Sequence, residues 1–274
     1  MSKKSILITG CSSGIGYDTA HYLHKNGYKV YASARDSKDV ERLRAEGLDA
    51  YLLDVTNAQN IKEVLDLIIK DQGELFALFN NAGFGQPGAL EDIRTSVLKE
   101  QFETNFFGLH ELTYQTLKIM RAQGYGRIIQ HSSVLGIISL RFRGAYNASK
   151  YAIEGLCDTL RLELMGTNIY VSTINTGPIK SDFRKNATKM FKKNVDFTSS
   201  IYKSEYEAEL LERKESKDSD FFTKQSDEVI KNIVHILKSK IPKPRYYNTQ
   251  ATYILGGFKR VLPTKVLDMI LRKI

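Results

Sequence analysis

The sequence predicts an α/β fold, a doubly wound parallel sheet flanked by helices, from two observations. Short apolar runs rich in β-branched residues recur along the chain, and segments with apolar residues at three- and four-residue spacing lie between them. Runs without polar alternation read as strands covered on both faces, as a parallel sheet between helical layers requires. The composition agrees: 274 residues, 42% apolar and 26% charged, describe an ordinary globular chain long enough for a full core.

The expected strands are residues 5–9 (SILIT), 29–34 (KVYASA), 50–55 (AYLLDV), 75–80 (LFALFN), 127–132 (RIIQHS) and 170–175 (YVSTIN). Ile61, Val64, Leu65 and Ile68 mark the apolar face of one connecting helix, and Leu156, Leu160 and Leu164 that of another. After Ile179 the pattern loosens. Residues 180–225 are charged and carry no strand signal, and so long a connection reads as a lid or mobile substrate loop, with a solvated helical insertion as the alternative. Ser226, Asp227 and Glu228 open a helix with Val229, Ile230, Ile233, Val234 and Leu237 on one face, ended by Pro242 and Pro244. Residues 245–250 are a candidate seventh strand. A last helix from Pro263 puts Val266, Leu267, Ile270, Leu271 and Ile274 on one face, flanked by Lys265, Arg272 and Lys273. The expected organisation is a single domain over 1–274, with the core at 1–179, the loop at 180–225 and a helix, last strand and basic tail at 226–274.

Forty Lys plus Arg against 31 Asp plus Glu give a net charge of +9. Residues 1–178 hold 19 basic and 19 acidic side chains, so the whole surplus is C-terminal. It flanks the expected loop and fills the tail, where it bears on substrate entry, oligomerisation or membrane contact. No nucleic-acid motif accompanies it, and no nucleic-acid partner is expected. Cys11 and Cys157 give no disulfide framework, and the start of the chain has no signal-peptide pattern, which favours a cytoplasmic location. No stretch has the ~18 to 20 apolar residues of a spanning helix. The histidines and cysteines give no metal-ligand spacing.

Three sites carry chemistry. The first strand leads into Thr9-Gly10-Cys11-Ser12-Ser13-Gly14-Ile15-Gly16 and then a helix, a turn that lets the backbone approach a pyrophosphate at the positive end of the helix. Its spacing is G-x-x-x-G-x-G, not the commoner dinucleotide fingerprint. Arg35 closes the second strand where such folds meet the adenosine ribose. A guanidinium there offers a charge-assisted fork to a 2′-phosphate, so NADP is expected over NAD. The third site is Ser133, Tyr146 and Lys150. Tyr146 and Lys150 are i and i+4 on one helical face, so the ammonium can sit beside the phenol. Lowering a phenol to neutrality takes ~3 units, roughly 4 kcal/mol, which a nearby cation and an oxidised nicotinamide can supply. Ser133 ends a strand and would donate to the substrate oxygen. His131 alternates away from Ser132 and reads as a core or loop histidine without a role.

Together these residues resemble the short-chain dehydrogenase/reductase family. The resemblance rests on Thr9-Gly10-x-x-x-Gly14-Ile15-Gly16, Asn80-Asn81-Ala82-Gly83, Asn105, Ser133, Tyr146-Asn-Ala-Ser-Lys150 and Gly177-Pro178-Ile179, and covers about residues 5–181. It implies a Rossmann-type sheet of seven parallel strands and a tetrad of Asn105, Ser133, Tyr146 and Lys150, with Asn105 holding a water that links Lys150 to solvent. It further implies that Asp54 and Val55 contact the adenine, that Asn81, Ala82 and Gly83 support the cofactor, and that Ile179 meets the carboxamide. Where the family often has Pro-Gly and a later Thr after strand six, this chain has Thr176-Gly177 and Ser181, which keeps a hydroxyl for the cofactor. Finer motifs resemble the branch holding bacterial NADP-dependent aldehyde reductases and 17β-hydroxysteroid and retinol dehydrogenases. The expected function is NADP(H)-dependent hydride transfer to or from a lipophilic carbonyl or alcohol. Alternatives are a membrane-surface reductase of lipid, retinoid or steroid carbonyls, a ketoacyl-carrier-protein reductase, against which the long tail argues, and a non-catalytic dinucleotide sensor, which typically loses the Tyr or Lys. Helices at 95–121 and 144–165 resemble the family's dimer interfaces, so a homodimer or homotetramer is expected.

Overall fold

A computed structural model describes residues 3–208 and 223–274. Seven strands form one sheet: β1 Ser5–Ile8, β2 Lys29–Ala34, β3 Asp49–Leu52, β4 Ala77–Asn80, β5 Tyr125–Ser133, β6 Asn168–Thr176 and β7 Arg245–Tyr247. The order is 3-2-1-4-5-6-7 and every pairing is parallel. Strand order reverses between β1 and β4, so the connections leaving their carboxyl ends turn to opposite faces and open a crevice there.

Helices cover both faces. On one, α1 Gly14–Lys25 and α2 Ser37–Ala45 place Ala20, Leu23, Val40 and Leu43 against β1 and β2. On the other, α3 Ala58–Gln72 buries the expected Ile61, Val64, Leu65 and Ile68. The expected helix at 95–121 consists of α4 Thr95–Phe102, a π-helical turn Glu103–Gly108 and α5 Leu109–Gln123. Gly108 makes the join possible, because a Cβ there would lie 2.6 Å from the Val55 carbonyl oxygen. The next helix, α6 Gly144–Glu163, buries Ile153 and Cys157 on the same side.

Residues 180–208 are helical and packed, closer to an insertion than to an open loop. The segment forms α7 Phe183–Asn194 and α8 Lys203–Tyr206. Phe191, Val195 and Tyr206 join Ala89, Ile93, Val97, Phe142 and Ala145 in a third cluster. Tyr206 accepts from the Ala89 amide at 2.7 Å and donates to Asp92, and Asn194 bonds Gln86 at 2.8 Å. The rest of the expected loop, residues 209–222, lies outside the described residues.

Beyond it, α9 Asp227–Lys238 returns Val229, Ile233 and Ile236 to the first face. Three expectations need correction. Ser226 starts α9 without a side-chain cap. Leu52 is exposed at the end of β3, the edge strand of the sheet, which pairs with β2 alone. The seventh strand stops at Tyr247, and the tail is two helices, α10 Gln250–Val261 and α11 Thr264–Leu271. Of the expected face of the last helix only Leu267 is buried. Thr249, within the expected strand, instead caps α10 by accepting from the Thr252 amide. No helix among the described residues is long and apolar enough to cross a membrane.

Candidate active site

The carboxyl ends of β1, β4, β5 and β6 meet at one place, and the glycine-rich turn lies above the first of them. Gly10 and Gly14 have φ of +70° and +60°, which glycine adopts without strain. A Cβ on Gly10 would come within 2.9 Å of Ala82 Cα, and one on Gly16 within 2.3 Å of the Gly10 oxygen. Thr9 fixes the neighbouring loop by accepting from the Asn81 and Ala82 amides, both at 2.9 Å. Ser13 precedes α1 without capping it by side chain, and the first turn of α1, with Gly14, Ile15 and Gly16, has no acidic residue. Such a helix start accepts an anionic group without displacing a competitor. Ser181 approaches from the other side, its Cβ 3.2 Å from where a Gly14 Cβ would be. The cradle therefore fits a dinucleotide diphosphate.

Arg35 follows β2 directly and is exposed, with no ion-pair partner among the described residues. Its neighbour Asp36 is occupied, accepting from the Lys38 amide as the cap of α2. Arg42, one and a half turns into α2, donates to the Ser12 carbonyl at 2.6 Å and was not singled out from sequence. Asp54 accepts from both the amide and the hydroxyl of Thr56, while Val55 is buried beside Gly108.

Ser133 is the last residue of β5, opposite Thr176 at the end of β6. Its hydroxyl accepts from the Leu135 amide at 3.1 Å and donates to the Thr176 carbonyl at 3.3 Å. Tyr146 and Lys150 leave the first turns of α6 together, the ammonium 5.5 Å from the Tyr146 ring centre. Burial pushes the Tyr146 phenol well above its ordinary pKa, and a hydrogen bond with Ser133 pulls it partly back. Lys150 is buried and donates to the His131 carbonyl at 2.6 Å. Burial lowers its pKa to about 8, against an upward pull from Glu154 and Cys157.

His131, read as roleless from sequence, ties the strand ends together. Its Nδ1 meets Asn81 Oδ1 and its Nε2 meets Thr176 Oγ1, each at 2.9 Å. Since Asn81 Nδ2 faces the Thr9 and Gly10 carbonyls, Asn81 Oδ1 must accept, so Nδ1 carries a proton and donates it. Burial, then the Lys150 charge, lowers the His131 pKa to about 3. Asn105, in the π-helical turn, grips Phe84 by both backbone groups, accepting from its amide at 3.1 Å and donating to its oxygen at 2.9 Å, and its amide also reaches Ser149 at 3.3 Å. It thereby sets the turn after Gly83.

Gly177, Pro178 and Ile179 follow β6. A Cβ on Gly177 would lie 2.1 Å from Thr249 Oγ1, so the start of α10 packs on this turn. Ile179 bridges to Lys224 through bonds of 3.0 Å on either side, which fastens the far end of the inserted segment. From that segment Phe183 sets its ring edge-on to Tyr146, 5.4 Å between centres. Gly85 leaves room for it, since a Cβ would be 2.9 Å from Phe183 Cζ. Phe183 carried no signal in the sequence beyond being aromatic four residues after Ile179.

Fold and site together define a doubly wound α/β oxidoreductase. The chain belongs to the short-chain dehydrogenase family: that family's model, described as short chain dehydrogenase, matches residues 4–192. It is 40% identical over 271 residues, 98% of this chain and 94% of the other, to the uncharacterized oxidoreductase YbbO of Escherichia coli K12. It is 36% identical to human retinol dehydrogenase 8 over 190 residues, 66% of this chain and 60% of that one. Among solved structures, a short-chain dehydrogenase from Streptomyces avermitilis superposes with a TM-score of 0.77 at 26% identity, covering 98% of this chain and 94% of that one.

Proposed function

We propose that the protein reduces lipophilic aldehydes or ketones with NADPH, and oxidises the matching alcohols in reverse, with Tyr146 as general acid and base. The observation that carries this reading is the meeting of Ser133, Tyr146 and Lys150 beneath the ring of Phe183. The bound dinucleotide supplies or takes the hydride. Ser133 donates a hydrogen bond to the carbonyl oxygen, and Tyr146 delivers its proton to that atom as charge develops there. Lys150 stabilises the phenolate left behind, and the His131 carbonyl keeps its ammonium beside the ring. Asn105 supports the turn at Gly83 and holds the water through which Lys150 regains a proton.

The dinucleotide is held by Gly10, Ser12, Ser13, Gly14, Ile15 and Gly16 at its diphosphate, by Asp54 and Val55 at the adenine, and by Asn81, Ala82, Gly83, Gly177, Pro178, Ile179 and Ser181 towards the nicotinamide. Arg35, without an ion-pair partner among the described residues and beside Asp36, which caps α2, selects the 2′-phosphate. On this reading the residues up to 179 form the dinucleotide and catalytic core of one domain, the described residues 180–208 the substrate cover and 226–274 the closing tail. Phe183 gives that cover an apolar surface at the reacting carbonyl, and a relative named for retinol supports a lipophilic substrate. Exposed Phe107 and Tyr114 on the 103–123 segment, and Leu162 on α6, support a homodimer or homotetramer.

An NADPH-oxidation screen across aldehyde chain length and ring content tests the reading. Turnover with apolar aldehydes, falling about a hundredfold or more in Tyr146→Phe, is expected. Activity that survives this substitution overturns it.

A second reading concerns place. Exposed Tyr253, Val261, Met269 and Ile274 on the tail stand among Lys259, Arg260, Lys265, Arg272 and Lys273, a surface suited to anionic lipid. On this reading a cytoplasmic enzyme meets its substrates at a membrane. Full-length protein should pellet with anionic vesicles and a chain ending at Gly256 should not; equal pelleting overturns it.

A further inference from the structure

One turn beyond Lys150 on α6, Glu154 is a buried carboxylate that the proposed reaction does not use. Its Oε1 accepts from Asn175 Nδ2 at 2.6 Å and its Oε2 from Arg245 Nε at 3.1 Å. The same Asn175 nitrogen donates to the Ser133 carbonyl at 3.4 Å. Arg245 in turn forks onto Asp158 at 2.6 and 2.7 Å, and Arg161 holds Asp158 at 2.9 Å. A Cβ on Gly136 would come 3.3 Å from Glu154 Cγ, so the turn following Ser133 closes directly onto it. One carboxylate thus joins α6, β6 and β7 to the backbone of the serine.

We propose that Glu154 is a positioning residue for the reaction, holding the Ser133 strand end through Asn175 and setting a carboxylate one helical turn below the Lys150 ammonium. The inference rests on the roles assigned above to Tyr146 and Lys150. A buried carboxylate is costly, and where only cohesion is needed an apolar side chain of the same volume serves as well. Here its charge opposes the burial of Lys150, and it is the first group to do so. The other titratable groups facing Lys150 are Tyr146 and Cys157 on α6 and His131 on β5; Glu154 faces Arg245 on β7 and, through it, Asp158 one turn further along α6 itself. His131 is neutral, so among the described residues it adds no charge beside Lys150 to that of Glu154.

The test is the pH dependence of kcat/KM for NADPH-driven aldehyde reduction in the full chain. On its alkaline side Lys150 loses its proton and the phenol loses its cation. Glu154→Gln, which keeps the Asn175 bond, should move that limb down by about half a pH unit or more, and Glu154→Asp should restore it. Arg245→Gln, which removes a cation facing the same cluster, should move it up. A merely structural Glu154 lowers rates at every pH and leaves the limb in place in both variants, and that result overturns the proposal. If Glu154→Gln fails to fold, judged by NADPH binding, the upward shift in Arg245→Gln decides alone. Tyr146→Phe separates the two levels of inference: should it remain active, the Tyr146 reading falls. The charge on Lys150 is then read without turnover, from its acylation rate against pH by mass spectrometry. Equal profiles in wild type and Glu154→Gln would again overturn the role of Glu154.

Discussion

The glycine-rich end of the crevice and the segment that covers its other end are built on opposite principles. Around Gly10, Gly14 and Gly16 the backbone is so close to Ala82, Ser181 and itself that no side chain fits. Around Phe191, Phe142 and Tyr206 the chain is held by large rings packed at 4.9 to 5.4 Å, from residues that another set of similar volume can replace. The first arrangement has one solution, because the backbone itself is the contacting surface. The second has many, because it need only keep a cover of suitable shape over Tyr146.

Substitutions on each side can break or sharpen the contrast. Phe191→Ala should cost about 4 kcal/mol in the stability of the covering segment, read by limited proteolysis between residues 180 and 208, while dinucleotide affinity stays within about twofold. A parallel loss of affinity would mean that the two regions act as one unit. Gly16→Ala should do the reverse, weakening dinucleotide binding by about 3 kcal/mol, roughly a hundredfold in a fluorescence titration, with the covering segment no easier to cleave. Arg35→Glu should shift the NADPH to NADH preference by about 2 kcal/mol and leave kcat with saturating cofactor near the wild-type value. A preference unchanged by this variant would remove Arg35 from the cofactor site.

The smallest effect at working pH belongs to His131, which links the two sides through Asn81 and Thr176. Its folded pKa, about 3, lies below the ordinary value of 6.5, so the unfolded chain binds the extra proton first on acidification. Stability from this group is complete above pH 6.5 and drains away as pH falls towards 3. Thermal unfolding across that window should show the slope in the wild type and a flatter one in His131→Gln.

Much of this was legible in the sequence, and the reason lies in which contacts are local. The apolar runs placed β2 to the residue, and the connecting helices showed their buried faces, because strand and helix periods are properties of the backbone. Tyr146 and Lys150 could be put on one face from their spacing alone. Where local signals misled, a neighbour distant in sequence had decided the outcome. The strand expected up to Gln250 stops at Tyr247, since Thr249 caps α10 and packs into the gap left by Gly177.

The sequence by itself determined the parallel sheet, the tight glycine turn after β1 and the identity of the Ser133, Tyr146 and Lys150 cluster. Tertiary structure alone decided what each of them touches. The pairing of β5 with β6 sets Ser133 opposite Thr176 and lets His131 reach across; the fold of α7 brings Phe183 onto Tyr146; and β7 delivers Arg245 to Glu154. These contacts span tens of residues, so they depend on sheet register and helix docking, and no periodicity within a short window records them.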